Sequence, residues 1–304
     1  MHRRIIFRIN VMENTETAFS PRTFDRGCHA EELMKPLKRF VFFMKFAPAL
    51  SVLLLLSVLA GLLLFSSPAD ARLGFGRDAA SSPDRYFSTN AEGLDSFQLV
   101  SPPPAQESAL FLYDKERYAY GRSLRATSRG KQAARDCDTH RMQAYFSEAF
   151  GGDINPETMP ELFSLLERVR REFGNMSTRT AKETYKRIRP YVFFGEETCY
   201  PPHEAPLRQT WSYPSGHSAI GWGQALILSE INPGRKELIL KRGYEYGESR
   251  VICGYHWQSD VDAARLCAAA AVANLHANRA FLAHLARAKE EFAQCVLKGL
   301  VLTE

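Results

Sequence analysis

"SGHSAIGWGQALILSEI", residues 215–231, decides the fold class. Its apolar residues fall on nearly every side of a helix, whereas a surface helix carries one apolar stripe. Such a segment is stable only when other elements cover it all round, so it predicts a helix in the middle of a bundle. Gly221, Gly223 and Ala225 add little bulk there and would let neighbouring helices approach closely.

The segments on either side read the same way. "AQESALFLYDKERYAYGRSLR" (105–125) and "RGKQAARDCDTHRMQAYFSEAF" (129–150) repeat apolar residues three and four apart. "NPETMPELFSLLERVRREFGN" (155–175) opens with turn residues and early acids, an N-terminal helix signature, and sets Leu162, Leu165, Leu166 and Val169 on one face. A helix is expected from Thr178 to Ile188, ending before Arg189-Pro190 because a residue preceding proline is pushed out of the helical region. Residues 191–214, rich in Pro and aromatics, read as a long loop. Helical stretches near 234–252, 257–276 and 278–298 complete the chain. Nothing alternates like a strand and no internal repeat is present. The expectation is one all-α helical-bundle domain over 72–304, preceded from Arg72 to Ser101 by a polar extended arm ending in "SPPP" (101–104).

The chain has 304 residues, 45% hydrophobic and 24% charged, enough for a sizeable core. Its net charge of +5 is no nucleic-acid signal. Residues 1–71 hold 9 Lys/Arg and 6 Asp/Glu, leaving 30 and 28 beyond them, with no basic stripe. The uncharged run "FAPALSVLLLLSVLAGLLLF" (46–65) follows Lys35, Lys38, Arg39 and Lys45 and precedes Ala69-Asp70-Ala71. That order is the form of a secretory signal with a small-x-small cleavage site; the alternative for so long an apolar run is a membrane anchor. Residues 1–71 are therefore read as a leader, with translation starting at Met34 or Met44 and the mature chain near Arg72. A periplasmic or secreted protein, without stable membrane insertion after cleavage, is the expectation. Of the cysteines, 137, 199, 253, 267 and 295 remain after the leader, allowing at most two bridges. Cys199–Cys253 is the favoured pair, since both flank the motifs below, and the absence of CxxC spacing speaks against structural zinc.

Three polar stretches carry the chemistry. In "KETYKRIRP" (182–190), Lys182 and Arg189 lie seven apart and, on one helix, would share a face. In "YPSGHS" (213–218), Ser215 and Gly216 begin the buried helix, whose free N–H groups and dipole favour an anion, with His217 in the first turn. In "GESRVICGYHWQSD" (247–260), His256 and Asp260 stand at i and i+4, six and ten residues after Arg250. Taken singly, each has an ordinary use: a surface basic pair, an N-cap, a polar turn. Together they assemble a cage for a multiply charged tetrahedral oxyanion such as phosphate. Lys182, Arg189 and Arg250 supply charge, Ser215 and Gly216 supply donors, and two imidazoles serve opposite ends of the bound group. Asp260 would orient His256, and its charge should oppose the cations' lowering of the His256 pKa.

These three segments, in this order and spacing, resemble the signature of the acid phosphatase/vanadium-dependent haloperoxidase superfamily. "RIRP", "SYPSGHS", "IGWGQALILSEINP", "LKRGYEYGESRVICGYHWQSDVDAAR" and "PPPAQESALFLYDKERYAYGRSLR" are similar to bacterial class A non-specific acid phosphatases in particular. The resemblance spans roughly Phe97 to Phe292. It implies an all-helical periplasmic phosphomonoesterase that needs no metal and no other cofactor, acting on small phosphate monoesters including nucleotides. In that family the residue matching His256 becomes phosphorylated and the one matching His217 protonates the leaving oxygen. Lys182, Arg189, Ser215, Gly216 and Arg250 match phosphate-binding positions, and Asp260 the residue behind the nucleophile. A homo-oligomer and a phosphotransferase side activity are further expectations. Departures are Ser218 where Thr is usual, Cys267 and Cys295, the tail "CVLKGLVLTE", and the loop 198–211, which is expected to border the leaving group. The alternatives are a vanadate-dependent haloperoxidase, a lipid phosphatase and a non-catalytic anion binder. His140, His203, His276, His284 and Asp262 read as surface or packing residues, as do Trp211 and Tyr213.

Overall fold

The computed structural model describes residues 85–87 and 93–304, so the expected leader at 1–71 lies outside the described residues. Among the described residues there are twelve α-helices: α1 (Ser96–Leu99), α2 (Ala109–Ser123), α3 (Ser128–Arg135), α4 (Met142–Phe150), α5 (Pro160–Arg171), α6 (Arg179–Tyr185), α7 (Pro190–Phe194), α8 (Glu204–Arg208), α9 (Gly216–Ile231), α10 (Lys236–Ile252), α11 (Gln258–Leu275) and α12 (Arg279–Leu297). Among the described residues there is no strand, and no helix is long and apolar enough to cross a membrane.

α9 is the central element. Ala219, Ile220, Ala225, Ile227, Leu228 and Ile231 are all buried, and α10 and α11 provide its most extensive packing. A Cβ at Gly221 would lie 2.4 Å from the Tyr246 ring, and one at Gly223 would lie 2.6 Å from Phe173, so helix approach at these points excludes any larger residue. α5 lays Leu162, Leu165, Leu166 and Val169, all fully buried, against the same core. Burying each of these side chains is worth about 1.5–3 kcal/mol, far above the few tenths that helix propensity contributes per residue.

Four local expectations are corrected. The helix expected over 129–150 breaks after Arg135, because the Asp136 carboxylate is drawn to Arg242 and Ser249 on α10 and Asp138 caps a new turn through the His140 N–H. The helix expected over 178–188 ends at Tyr185. Lys186 takes a left-handed conformation, φ 48°, and Arg189 is extended before Pro190. The loop after it contains α7, α8 and a 3₁₀ turn at Pro201–His203. The arm is not uniformly extended either: α1 is a helical turn capped by Asp95, and Tyr86 is buried with its hydroxyl 2.7 Å from His284 Nδ1.

The Cys199–Cys253 disulfide forms and ties the loop after α7 to the end of α10; Cys137, Cys267 and Cys295 are free and buried.

Candidate active site

The C-terminus of α10 places the first two site residues. Cys253 caps the helix and Gly254 follows at φ 85°, a conformation side chains rarely adopt; a Cβ there would also meet Arg125 Nη2 at 2.4 Å. The Gly254 N–H bonds the Val251 carbonyl at 2.9 Å and the Tyr255 N–H bonds the Arg250 carbonyl at 3.0 Å. This pair of bonds is a Schellman stop, which folds the chain back on the last turn of the helix. The same reversal stacks the Arg250 guanidinium over the Tyr255 ring, 4.4 Å to the centroid, and delivers His256 beside it.

The helix α11 then begins, and Asp260 in its first turn accepts the Trp257 N–H at 2.8 Å. The Asp260 main-chain carbonyl accepts from Ser215 N–H at 3.0 Å, so the starts of α9 and α11 are held together. At the start of α9 the Ser215 hydroxyl caps the Ser218 N–H. The Gly216 and His217 amides, first two of the helix, have no intrahelical acceptor.

Lys182 and Arg189 reach the same place by a bent path rather than along one helix face. Lys182 Nζ donates to the carbonyls of Pro214 and, at 3.2 Å, Trp211. Arg189, 4% exposed, spends its donors on the Leu207 carbonyl (3.0 Å), the Thr210 carbonyl and hydroxyl (3.2 and 2.9 Å), the Trp211 carbonyl (3.0 Å) and the Tyr255 carbonyl (3.2 Å). Its Nη1 also lies 2.9 Å from His256 Nε2. A guanidinium only donates, so Nε2 must be the accepting nitrogen and the ring proton sits on Nδ1. Nδ1 lies 3.3 Å from Asp260 Oδ2 and 3.4 Å from the Ser212 hydroxyl.

Arg250 differs from Arg189. It is fully buried, and its Nε and Nη2 have no partner among the described residues; Nη1 alone is engaged, by Cys137 Sγ at 3.0 Å. A buried charged donor left unpaired costs several kcal/mol, so these two nitrogens are the clearest sign that an anion completes the site.

The electrostatics follow from this crowding. Burial, then the charges of Arg189, Lys182 and Arg250, hold the His256 pKa well below the usual imidazole value. Burial, Arg250, His256, His203 and Arg189 do the same to His217. Lys182 falls to about 7, through burial and the Arg189 charge. A backbone hydrogen bond with Ser212 opposes this lowering at His256. The Asp260 carboxylate is already taken by the Trp257 N–H, the Ser212 hydroxyl and, at 2.7 Å, Arg187.

Sequence reasoning missed that supporting layer. Arg187 bridges Asp260 and the fully buried Asp114 of α2 at 2.7 and 2.6 Å, and Asp114 accepts the Ser259 N–H and hydroxyl at 2.8 and 2.6 Å. Arg187 lay inside the quoted "RIRP", but only Arg189 was singled out there. Asp114 offered no local signal, being the lone acid on the buried face of α2. His203, set aside as a packing residue, stands with its ring 6.4 Å from that of His217.

A helical bundle that gathers three cations, two of them buried, and an open helix start around two imidazoles defines a class of oxyanion-handling protein, and comparison with known sequences gives the class its name. Residues 173–281 match the PAP2 superfamily. Over 242 residues, 79% of this chain and 98% of the relative, the sequence is 49% identical to a non-specific acid phosphatase of Providencia stuartii. It is 42% identical over 207 residues to one of Salmonella typhimurium, covering 67% of this chain and 83% of that protein. An acid phosphatase of Zymomonas mobilis subsp. mobilis is 34% identical over 200 residues, 65% and 75% of the two chains. The chain belongs to the PAP2 superfamily and, within it, to the acid phosphatases of the class A type.

Proposed function

We propose that this chain is an exported acid phosphatase that hydrolyses a broad range of small phosphate monoesters, nucleotides included, through a phosphohistidine on His256. The observation that carries the reading is the unpartnered Nε and Nη2 of the buried Arg250 beside a His256 whose Nε2 is the lone-pair nitrogen. A phosphoryl group would take the free Arg250 donors, the Gly216 and His217 amides and the charge of Lys182. It would also draw Arg189 Nη1 off Nε2, which uncovers the nucleophile at the moment the electrophile arrives.

In the first step His256 Nε2 attacks phosphorus, the ester oxygen leaves with the bonding pair, and His217 donates a proton to it. Asp260, fixed by Arg187, holds the Nδ1 proton in place and stabilises the positive charge that grows on the ring. In the second step water attacks the phosphohistidine, with His217 as base. The three cations supply the charge stabilisation that a divalent metal gives other phosphatases. Burial and the neighbouring cations favour the neutral form of both histidines in the free enzyme, which suits His256. His217 must gain its proton once the phosphate dianion offsets Arg250 and Arg189, and that requirement favours mildly acid conditions.

The test is rapid acid-quench of the purified enzyme with labelled 4-nitrophenyl phosphate, followed by peptide mapping, with and without chelator. Label on His256, chelator-insensitive turnover and no label in His256→Ala are expected. Label elsewhere, or activity lost to chelator and restored by zinc or magnesium, would overturn the reading. N-terminal sequencing of the mature protein tests export, with cleavage after Ala71 as the expected result.

A further inference from the structure

The unusual element of the site is what holds Arg250. Among the described residues the only hydrogen-bond acceptor for this fully buried guanidinium is a sulfur, Cys137 Sγ, 3.0 Å from Nη1. The Tyr255 ring lies against the guanidinium, 4.4 Å from centroid to Cζ, but offers it no hydrogen-bond acceptor through its face. One in-plane contact is needed to decide which edge faces the anion, and Cys137 is where it comes from.

The sulfur is itself well located. It lies 3.5 Å from the Ala133 carbonyl and 3.7 Å from Cys253 Sγ, one half of the Cys199–Cys253 disulfide. The residue before it, Asp136, is clamped by Arg242 at 2.5 Å and by the Ser249 hydroxyl at 2.6 Å. Both clamps belong to α10, the helix that carries Arg250, so acceptor and donor are registered through one rigid element. Burial pushes the Cys137 thiol pKa up, which keeps it a neutral thiol. Its S–H can point to the Ala133 carbonyl while a sulfur lone pair receives Nη1.

We propose that Cys137 is a positioning residue for phosphate binding: its sulfur holds Nη1 of Arg250 back from the cage, so that the Nε–Nη2 edge is presented to the phosphoryl oxygens. This rests on the phosphate-cage reading above and adds to it a residue outside the three signature segments.

The experiment compares wild type, Cys137→Ala and Cys137→Ser for inhibition by inorganic phosphate and orthovanadate, and for KM and kcat on 4-nitrophenyl phosphate. Alanine removes the acceptor and should weaken both inhibitors about three- to tenfold, the worth of one orienting hydrogen bond to a charged group. Serine puts a smaller hydroxyl oxygen where the sulfur stood and so keeps an acceptor, and its O–H can still use the Ala133 carbonyl. It should recover affinity to within about twofold of wild type. Equal losses in the two variants would mean that the sulfur only fills space, and unchanged inhibition in Cys137→Ala would mean that it does nothing for Arg250; either result overturns the inference. A wild type that binds neither phosphate nor vanadate overturns the cage reading with it. Should the variants not fold, side-chain nitrogen spectra of wild type decide. Phosphate should shift the Arg250 Nε and Nη2 signals and leave Nη1 nearly in place, and a uniform shift of all three would refute the assignment.

Discussion

Replacing Lys182 by Met should make the free protein more stable while crippling phosphate binding. Lys182 is partly buried beside Arg189, and its pKa falls from 10.5 to about 7. At 1.36 kcal/mol per pH unit, that drop corresponds to about 5 kcal/mol of unfavourable charge in the folded state. Solvent reaching the partly buried side chain cuts this to roughly half. The Pro214 carbonyl, left without its lysine donor, offsets about 1 kcal/mol more. The net gain is about 1–2 kcal/mol, or a Tm increase of roughly 2–8 °C for a domain of this size. The sign depends on pH. The folded pKa lies below the unfolded one, so between about 7 and 10.5 the unfolded chain holds more protons and wild-type stability climbs with pH. The advantage of Lys182→Met should therefore be full below pH 7, shrink above it and be gone near pH 10. Urea unfolding from pH 5 to 10 without phosphate measures this directly, and added phosphate should stabilise wild type far more than the variant. A variant less stable than wild type at pH 6, or an advantage that does not change with pH, would show that the cage cations are not in conflict when empty.

In His217→Ala, turnover of esters with poor leaving groups should fall ~10²–10⁴-fold, the usual worth of a general acid, with a much smaller loss for 4-nitrophenyl phosphate. Equal losses would remove His217 from that role. Arg187→Met leaves Asp114 and Asp260 buried without their shared cation and should cost roughly 3–5 kcal/mol in chemical denaturation, whereas Asp114→Asn should cost less. Acid should destabilise the free protein chiefly through His217 and His256, with His203 and His284 acting in the same sense. Their folded pKa values lie below the unfolded value of about 6.5, so stability should decline as pH falls through that point, and bound phosphate should reverse the trend. Opening Cys199–Cys253 should raise KM more than it lowers kcat, because the loop it anchors supplies the Leu207, Thr210 and Trp211 carbonyls to Arg189.

What was legible in the chain follows from how local the signals are. The all-round apolar character of 215–231 is a property of seventeen consecutive residues, and the buried α9 matches it. The three short motifs point to eight candidate residues that the fold brings to one place, and two of the motifs carry their own geometry: a helix start, and a helix stop followed by an i to i+4 step. The failures occur where distant residues decide. Asp136 breaks the expected 129–150 helix because Arg242 and Ser249 pull on it from more than a hundred positions away. Asp114 reaches Asp260 only through Arg187, and Cys137 meets Arg250 only once α10 is packed. The shared face expected of Lys182 and Arg189 failed for a local reason, since Lys186 leaves the helical region before Pro190 constrains Arg189.

The grip on Arg189 has a consequence for how this enzyme can change. Four of its anchoring contacts are carbonyl oxygens at 207, 210 and 211 on the loop and at 255 beyond it, and Lys182 likewise leans on the carbonyls of 211 and 214. A carbonyl is the same whatever side chain its residue carries. Arg208, Gln209 and Trp211 can thus be exchanged without disturbing the phosphate end, provided that the path of the loop is kept. Thr210 is the exception, because its hydroxyl is also used. On the proposed phosphate-cage reading, the scaffold would separate a fixed half, which holds the phosphate, from a variable half onto which new leaving-group preferences could be written, by selection or by a library restricted to those three positions.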